Sequence, residues 1–257
     1  MFCVAALALV VAGCGSSPSF NDKDTPEKLY ADARDEMSSG NYDKAIKILE
    51  RVEGRAAGSL LAQQAQLDQA YAQWKSGERA TALATLDRFI KVHPSSPALD
   101  YAMYLKGIIN FNDNLGIFSA ISRQDISERD QQASRDAYQA FKQLVDQFPE
   151  SKYSADARVR MNYIVNALAQ YELHVARYYY RRGAFLAAAN RAQQTVRDYQ
   201  QTPSIEEALY ILAQSYDKLG LNELRDDADR VLKQNYPDSR FLREGMRKPD
   251  TRWWQWW

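Results

Sequence analysis

Five arginines and three tyrosines crowd into residues 173–197, LHVARYYYRRGAFLAAANRAQQTVR, and no acid lies among them. The arginines are Arg177, Arg181, Arg182, Arg191 and Arg197; Tyr178, Tyr179 and Tyr180 interleave with them. Arg brings a planar fork of donors suited to carboxylates, and Arg and Tyr are the side chains most often found as interface anchors. As a group they read as a partner-binding patch. The plain alternative is that the tyrosines divide between core and surface while the arginines pair with acids on neighbouring helices. Other chemistry is scarce. The histidines are His93 and His174 and the cysteines Cys3 and Cys14, too few and too scattered for a metal set. His93 precedes Pro94, where a contact with a helix C-terminus is expected; His174 reads as a structural or partner residue. No GxSxG, HExxH or P-loop pattern occurs. The chain reads as a non-enzyme without cofactor or metal.

Lys+Arg and Asp+Glu both number 33, so no global field attracts nucleic acid, and a nucleic-acid partner is not expected. Only residues 4–12 are continuously apolar. That is too short to span a bilayer as a helix, but it suits the core of a signal peptide. Cys3 would be lost with that signal, leaving Cys14 as the single thiol. Residues 11–14, Val-Ala-Gly-Cys, resemble the lipobox of bacterial lipoproteins. The resemblance implies cleavage before Cys14, diacylglycerol on its sulfur and an acyl chain such as palmitate on its amine. Gly15 rather than Asp follows, which in that resemblance implies sorting to the outer membrane, periplasmic face. More than one acyl chain makes such an anchor stable. Residues 1–13 hold no Lys or Arg, so the translation start is expected upstream.

The body reads as all-α. Gly and Pro sit between helical runs, and alternating strand patterns are missing. First helices are expected at 26–39, 59–75, 97–110, 154–182 and 204–219, with Ser154 as an N-cap. Gly40 to Gly77 and Gly183 to Gly220 both span 37 residues. Gly40, Tyr42 and Ala45, like Gly183, Phe185 and Ala188, resemble the tetratricopeptide pattern: a turn glycine, an aromatic two residues on, and a small residue three further. Gly77 and Ala82 fit, with Arg79 at the aromatic place; Pro94, Pro149 and Pro237 close units. The fold expected is a tetratricopeptide-repeat (TPR) superhelical solenoid of about five helix-turn-helix units. Residues 1–13 are read as the removed signal, 14–25 as a flexible lipidated tether, and 26–110 as units one and two with the start of three. An insertion follows at 111–133, then units three to five over 134–240 and a Trp-rich tail over 241–257.

The order of lipobox, repeats, LDYAMYLKG (99–107), insertion and VARYYYRRGAFLAAANR (175–191) is similar to the BamD family, the lipoproteins of the outer-membrane β-barrel assembly machine. That resemblance implies a periplasmic adaptor. It would bind the last soluble domain of the barrel subunit, BamA, sit beside the machine's other lipoproteins and help recruit unfolded β-barrel clients. It implies a salt bridge to BamA from Arg191, the arginine of the Asn190-Arg191 motif, with Arg182 as a weaker neighbour. Its first two units would face client signals. Arg55-Ala56-Ala57-Gly58 departs from the family's aromatic-proline-aromatic run, which weakens any substrate pocket there. The alternative reading keeps anchor and fold but gives the scaffold another envelope client, in the cell wall or a secretion system. Four Trp in TRWWQWW (251–257) would fold back on the repeats, bind a partner or rest at the membrane interface.

Overall fold

The computed structural model describes residues 24–111 and 131–245. The signal segment, Cys14, most of the insertion and the Trp-rich tail lie outside the described residues. Within them are eleven helices and no strand. Ten of the helices form five successive antiparallel pairs: α1 (Pro26–Ser38) with α2 (Tyr42–Arg55), α3 (Leu60–Lys75) with α4 (Arg79–Val92), α5 (Leu99–Asn110) with α6 (Gln131–Gln147), α7 (Ser154–Arg181) with α8 (Phe185–Asp198), and α9 (Ser204–Lys218) with α10 (Asn222–Asn235). A short α11 (Arg240–Glu244) follows. These are the tetratricopeptide-type pairs expected from the repeats.

Each helix follows from local sequence. The side chains of Thr25 and Ser59 accept the N–H groups of Lys28 and Ala62, capping α1 and α3. Buried residues recur at helical spacing: Ala45, Ile48, Leu49 and Val52 on α2, and Ala137, Ala140, Phe141 and Leu144 on α6. Gly183 has φ +77°, beyond what L side chains tolerate cheaply. That conformation lets Gly183 N–H reach Tyr180 O and Ala184 N–H reach Tyr179 O, filling carbonyls the ending helix leaves open. The same pair of bonds recurs around Gly40, Gly77 and Gly220. Ala45, Ala82 and Ala188, five residues past their glycines, are fully buried. Ser154 is not a cap: Tyr153 holds that position, and the buried Ser154 hydroxyl donates back to Phe148 O at 2.6 Å. The helix entry is already folded over the preceding loop, so the hydroxyl turns to it.

Two compact units divide between Thr85 and Leu86, inside α4. In the first, Leu29, Ala33, Ile48, Leu49, Val52 and Ala65 form the core. Tyr30 Oη donates to Asp68 at 2.6 Å and ties α1 to α3; Thr85 Oγ1 donates to Gln73. In the second unit, α7 is 28 residues, about 42 Å, long. Its first half packs with α6 through Ala157, Ile164 and Leu168, and its second half with α8 and α9 through Leu173 and Ala176.

The stretch 99–107 proves to be wiring that ties α5 to α4, to α6 and to the start of α7. Leu99, Ala102, Met103 and Leu105 are core. Asp100 accepts from Ser151 Oγ at 2.7 Å, Tyr101 lies against Tyr153, and Lys106 pairs with Asp87 at 2.5 Å. Tyr104 Oη donates to Asp156 at 2.8 Å, and Arg160 Nε donates to the same oxygen at 2.6 Å. Gly107 meets Phe141 so closely that a Cβ would stand 2.4 Å from the ring.

Gly107→Ala is therefore expected to destabilise by about 1–3 kcal/mol through overpacking. For a chain of this size that lowers Tm by about 2–4 °C per kcal/mol. Combining it with Phe141→Leu should cost less than the two changes summed, because the smaller side chain vacates the contested space.

The Asp156 carboxyl also sets a pH dependence. Burial raises its pKa, but the hydrogen bonds from Arg160 and Tyr104 lower it more, and the net value lies below the usual carboxylate range. A depressed carboxyl contributes stability above its unfolded pKa of about 3.9, and loses that contribution as pH falls through the folded value. Asp156→Asn should accordingly lower the urea midpoint at pH 6 more than at pH 3.

Candidate partner-binding site

The arginine cluster straddles the turn of the fourth pair, on the end of α7 and the start of α8. Its surroundings decide which charges are available. Arg177 meets Glu207 of α9 through Nε to Oε1, and through Nη2 to Oε2 at 2.8 Å, a fork on a fork. Arg191 Nη1 donates to Glu172 Oε2 at 2.9 Å. The Glu172 side chain is only 2% exposed, whereas that of Arg191 is 41% exposed. Arg197 Nε donates to Asp198 at 2.7 Å. Three of the five arginines thus have carboxylate partners, and the patch is narrower than the window 173–197 suggested. Glu172 sits one residue before that window and Glu207 ten residues after it.

Arg181 and Arg182 are exposed and meet no carboxylate among the described residues. Arg182 lies over the Tyr178 ring at 5.5 Å, an arrangement that holds the guanidinium by cation–π attraction. The tyrosines split. Tyr178 faces water, while Tyr179 and Tyr180 pack on the core of Leu173, Ala188, Ala192 and Ile211. Tyr180 also meets Phe185 edge-on across the turn, at 5.5 Å between centroids. Leu186 and Asn190 are exposed one turn apart on α8. The surface at this turn is therefore a cationic and aromatic group with one large apolar side chain, supported from beneath by paired charges.

His93 ends α4 with its ring 5.1 Å from Phe89, and His174 is half-buried on α7. Among the described residues no group of three His, Cys, Asp or Glu is placed to hold a metal. No described helix is long and apolar enough to cross a membrane.

The family model for YfiO, described as outer membrane lipoprotein, matches residues 22–232. This chain belongs to the YfiO outer membrane lipoprotein family. Relatives of near-full length agree. The chain is 46% identical to the outer membrane protein assembly factor BamD of Neisseria meningitidis serogroup B, over 98% of this chain and 97% of that protein. It is 35% identical to that of Xylella fastidiosa over 93% and 82%, and 32% identical to that of Haemophilus influenzae over 96% and 94%. In this YfiO-family chain, the stretch 99–107 faces inward except for the Lys106 ion pair, whereas in 175–191 Tyr178, Arg181, Arg182, Gly183, Ala184, Leu186 and Asn190 are exposed and Arg191 is half-exposed. Sequence reasoning missed Glu172 and Glu207. A carboxylate on an otherwise apolar stripe of a core helix, as at Leu168-Ala169 and Leu173-Ala176 around Glu172, is the signal that points to a buried pair.

Removing Arg191 strands a buried carboxylate, and that penalty dominates. Arg191→Ala should cost about 2–4 kcal/mol in urea unfolding. Arg191→Ala combined with Glu172→Gln should cost clearly less than the sum of the single changes, because no buried charge then lacks a partner.

Proposed function

We propose that this protein is a non-enzymatic outer membrane protein assembly factor, a periplasm-facing TPR scaffold held to the outer membrane by lipid on Cys14. The observation that carries the reading is the near-full-length identity to proteins named outer membrane protein assembly factor BamD, together with the family description as an outer membrane lipoprotein. Its partners in this reading are a BamA-type β-barrel subunit, the other lipoproteins of the machine, and unfolded β-barrel clients. Outer-membrane association follows from the family; the lipid anchor and the face it serves belong to the proposal.

The contact with the barrel subunit falls on the turn of the fourth pair, through Arg191 and Arg182. Arg191 spends one donor on Glu172, and its remaining N–H groups serve a partner carboxylate from a half-exposed position. A guanidinium already fixed by an internal acid loses little freedom on binding. Arg182, Tyr178 and Leu186 supply the cation, aromatic and aliphatic side chains typical of interface anchors.

Two variants separate binding from folding. Arg191→Lys keeps a cation opposite Glu172 but loses the fork, and Arg182→Glu reverses an exposed charge. Each is expected to weaken a titration against the barrel subunit's periplasmic region about tenfold, a loss of about 1.4 kcal/mol, with Tm unchanged within about 2 °C. Affinity untouched by both changes would remove this turn from the contact. A pull-down from native membranes that returns a different envelope complex would transfer the scaffold to a cell-wall or secretion client.

A further inference from the structure

The last repeat pair is covered on only part of its outer end. Ser239 Oγ donates to Glu206, near the start of α9. Phe241 then stacks on Tyr210 at 5.6 Å between centroids, and a Cβ at Gly245 would stand 3.1 Å from Tyr210 Oη. Between these contacts the chain advances along α9 toward its C-terminal end. Leu242 joins the cluster of Leu209, Val231 and Leu232, so α11 covers the C-terminal half of α10. It stops after five residues. Beyond its reach, Leu219, Leu221 and Leu224 remain 37%, 42% and 46% exposed. Leu224 stands four, seven and eight residues before Ala228, Val231 and Leu232, on one helical stripe with them. The stripe is covered at one end and bare at the other. A terminal repeat has no following neighbour, so it needs a cap over this end.

The chain itself supplies one candidate occupant. Twelve residues, 246–257, follow Gly245, and four of the last five are Trp. Leu219 lies nine residues beyond Tyr210, about 14 Å along α9. Trp253, the first of the four, lies eight residues beyond Gly245, about 26 Å in extended chain, so the tryptophans reach the leucines with slack. Charge agrees as well. Asp217 and Asp226 both accept from Arg225, so Glu223 is the acid beside the bare leucines available to the tail, which carries Arg247, Lys248 and Arg252 against a single acid, Asp250. Trp against exposed Leu removes apolar surface on both sides from water.

We propose that residues 246–257 cap the fifth repeat pair, seating their tryptophans on Leu219, Leu221 and Leu224 and a basic residue beside Glu223. The cap completes the stack within the chain and needs no partner or membrane. The test uses the full chain with Cys14→Ser, free of lipid, and Trp74→Phe, so that only the tail's four tryptophans emit. The proposal expects blue-shifted emission and weak acrylamide quenching in buffer alone. Leu221→Asp with Leu224→Asp should then shift the emission red and raise the quenching constant about twofold, with helix content unchanged. Stopping the chain after Pro249 should lower Tm by about 3 °C or more. Emission of water-exposed indole that turns blue only with phosphatidylethanolamine–phosphatidylglycerol vesicles would overturn the cap in favour of a membrane contact. Blue emission indifferent to the leucine changes would overturn it too, by placing the tail elsewhere.

Discussion

Most helices here are too short to persist in water alone and must bury their apolar stripes against the next one within a few residues of chain. The reversal therefore has to be tight, and tightness is bought with backbone conformation. At the turns of pairs one, two, four and five a glycine takes positive φ, and the two residues after the helix donate back to its last open carbonyls. In pairs one, two and four the residue five positions on falls at the pair's closest approach, and there Ala45, Ala82 and Ala188 have no exposed surface; in pair five that position is Arg225. Apart from α7, the paired helices run 12–17 residues, because the stripe lasts only as long as its partner. The third pair lacks such a glycine among its described residues and gains its close approach differently, by Gly107 lying against the Phe141 ring.

These features were legible because they are local. A turn glycine, a cap and a 3.6-residue stripe each announce themselves within a few positions, and the first helices lie within two residues of where spacing put them. The site was legible only in outline. Arg191 and Glu172 are 19 residues apart, and Arg177 and Glu207 are 30 apart; their pairing depends on how α7, α8 and α9 rotate against one another. A count of acids within a window cannot see that. The count overstated the patch for this reason: the compensating carboxylates were outside the window in sequence and inside it in space.

The two stretches that carried the family resemblance therefore do different work. Residues 99–107 turn nearly every side chain toward neighbouring elements, from Asp100 on Ser151, in the loop after α6, to Lys106 on Asp87 of α4. A change there acts first on the fold. Residues 175–191 are divided: Arg177, Tyr179, Tyr180 and the alanines hold pairs four and five together, while Tyr178, Arg182 and Leu186 lie open. Loss of function from a substitution in this second stretch is interpretable only beside a stability measurement, because adjacent residues serve opposite purposes.

The open arginines occupy the place where a bare cation is least costly. Arg177 and Arg191 each compensate a buried glutamate, Glu207 and Glu172, whose charge would be expensive left alone. Arg181 is the last residue of α7 and Arg182 its C-cap, where the unpaired carbonyl end of the helix dipole favours positive charge. There a cation stabilises the helix terminus and needs no internal carboxylate. The turn glycine next to them ends the helix at that point and keeps both side chains at its rim. One local device thus closes the fourth pair and displays two positive charges in a chain whose net charge is zero. The positive surface of this turn depends on where charge is left uncompensated rather than on how much the molecule carries.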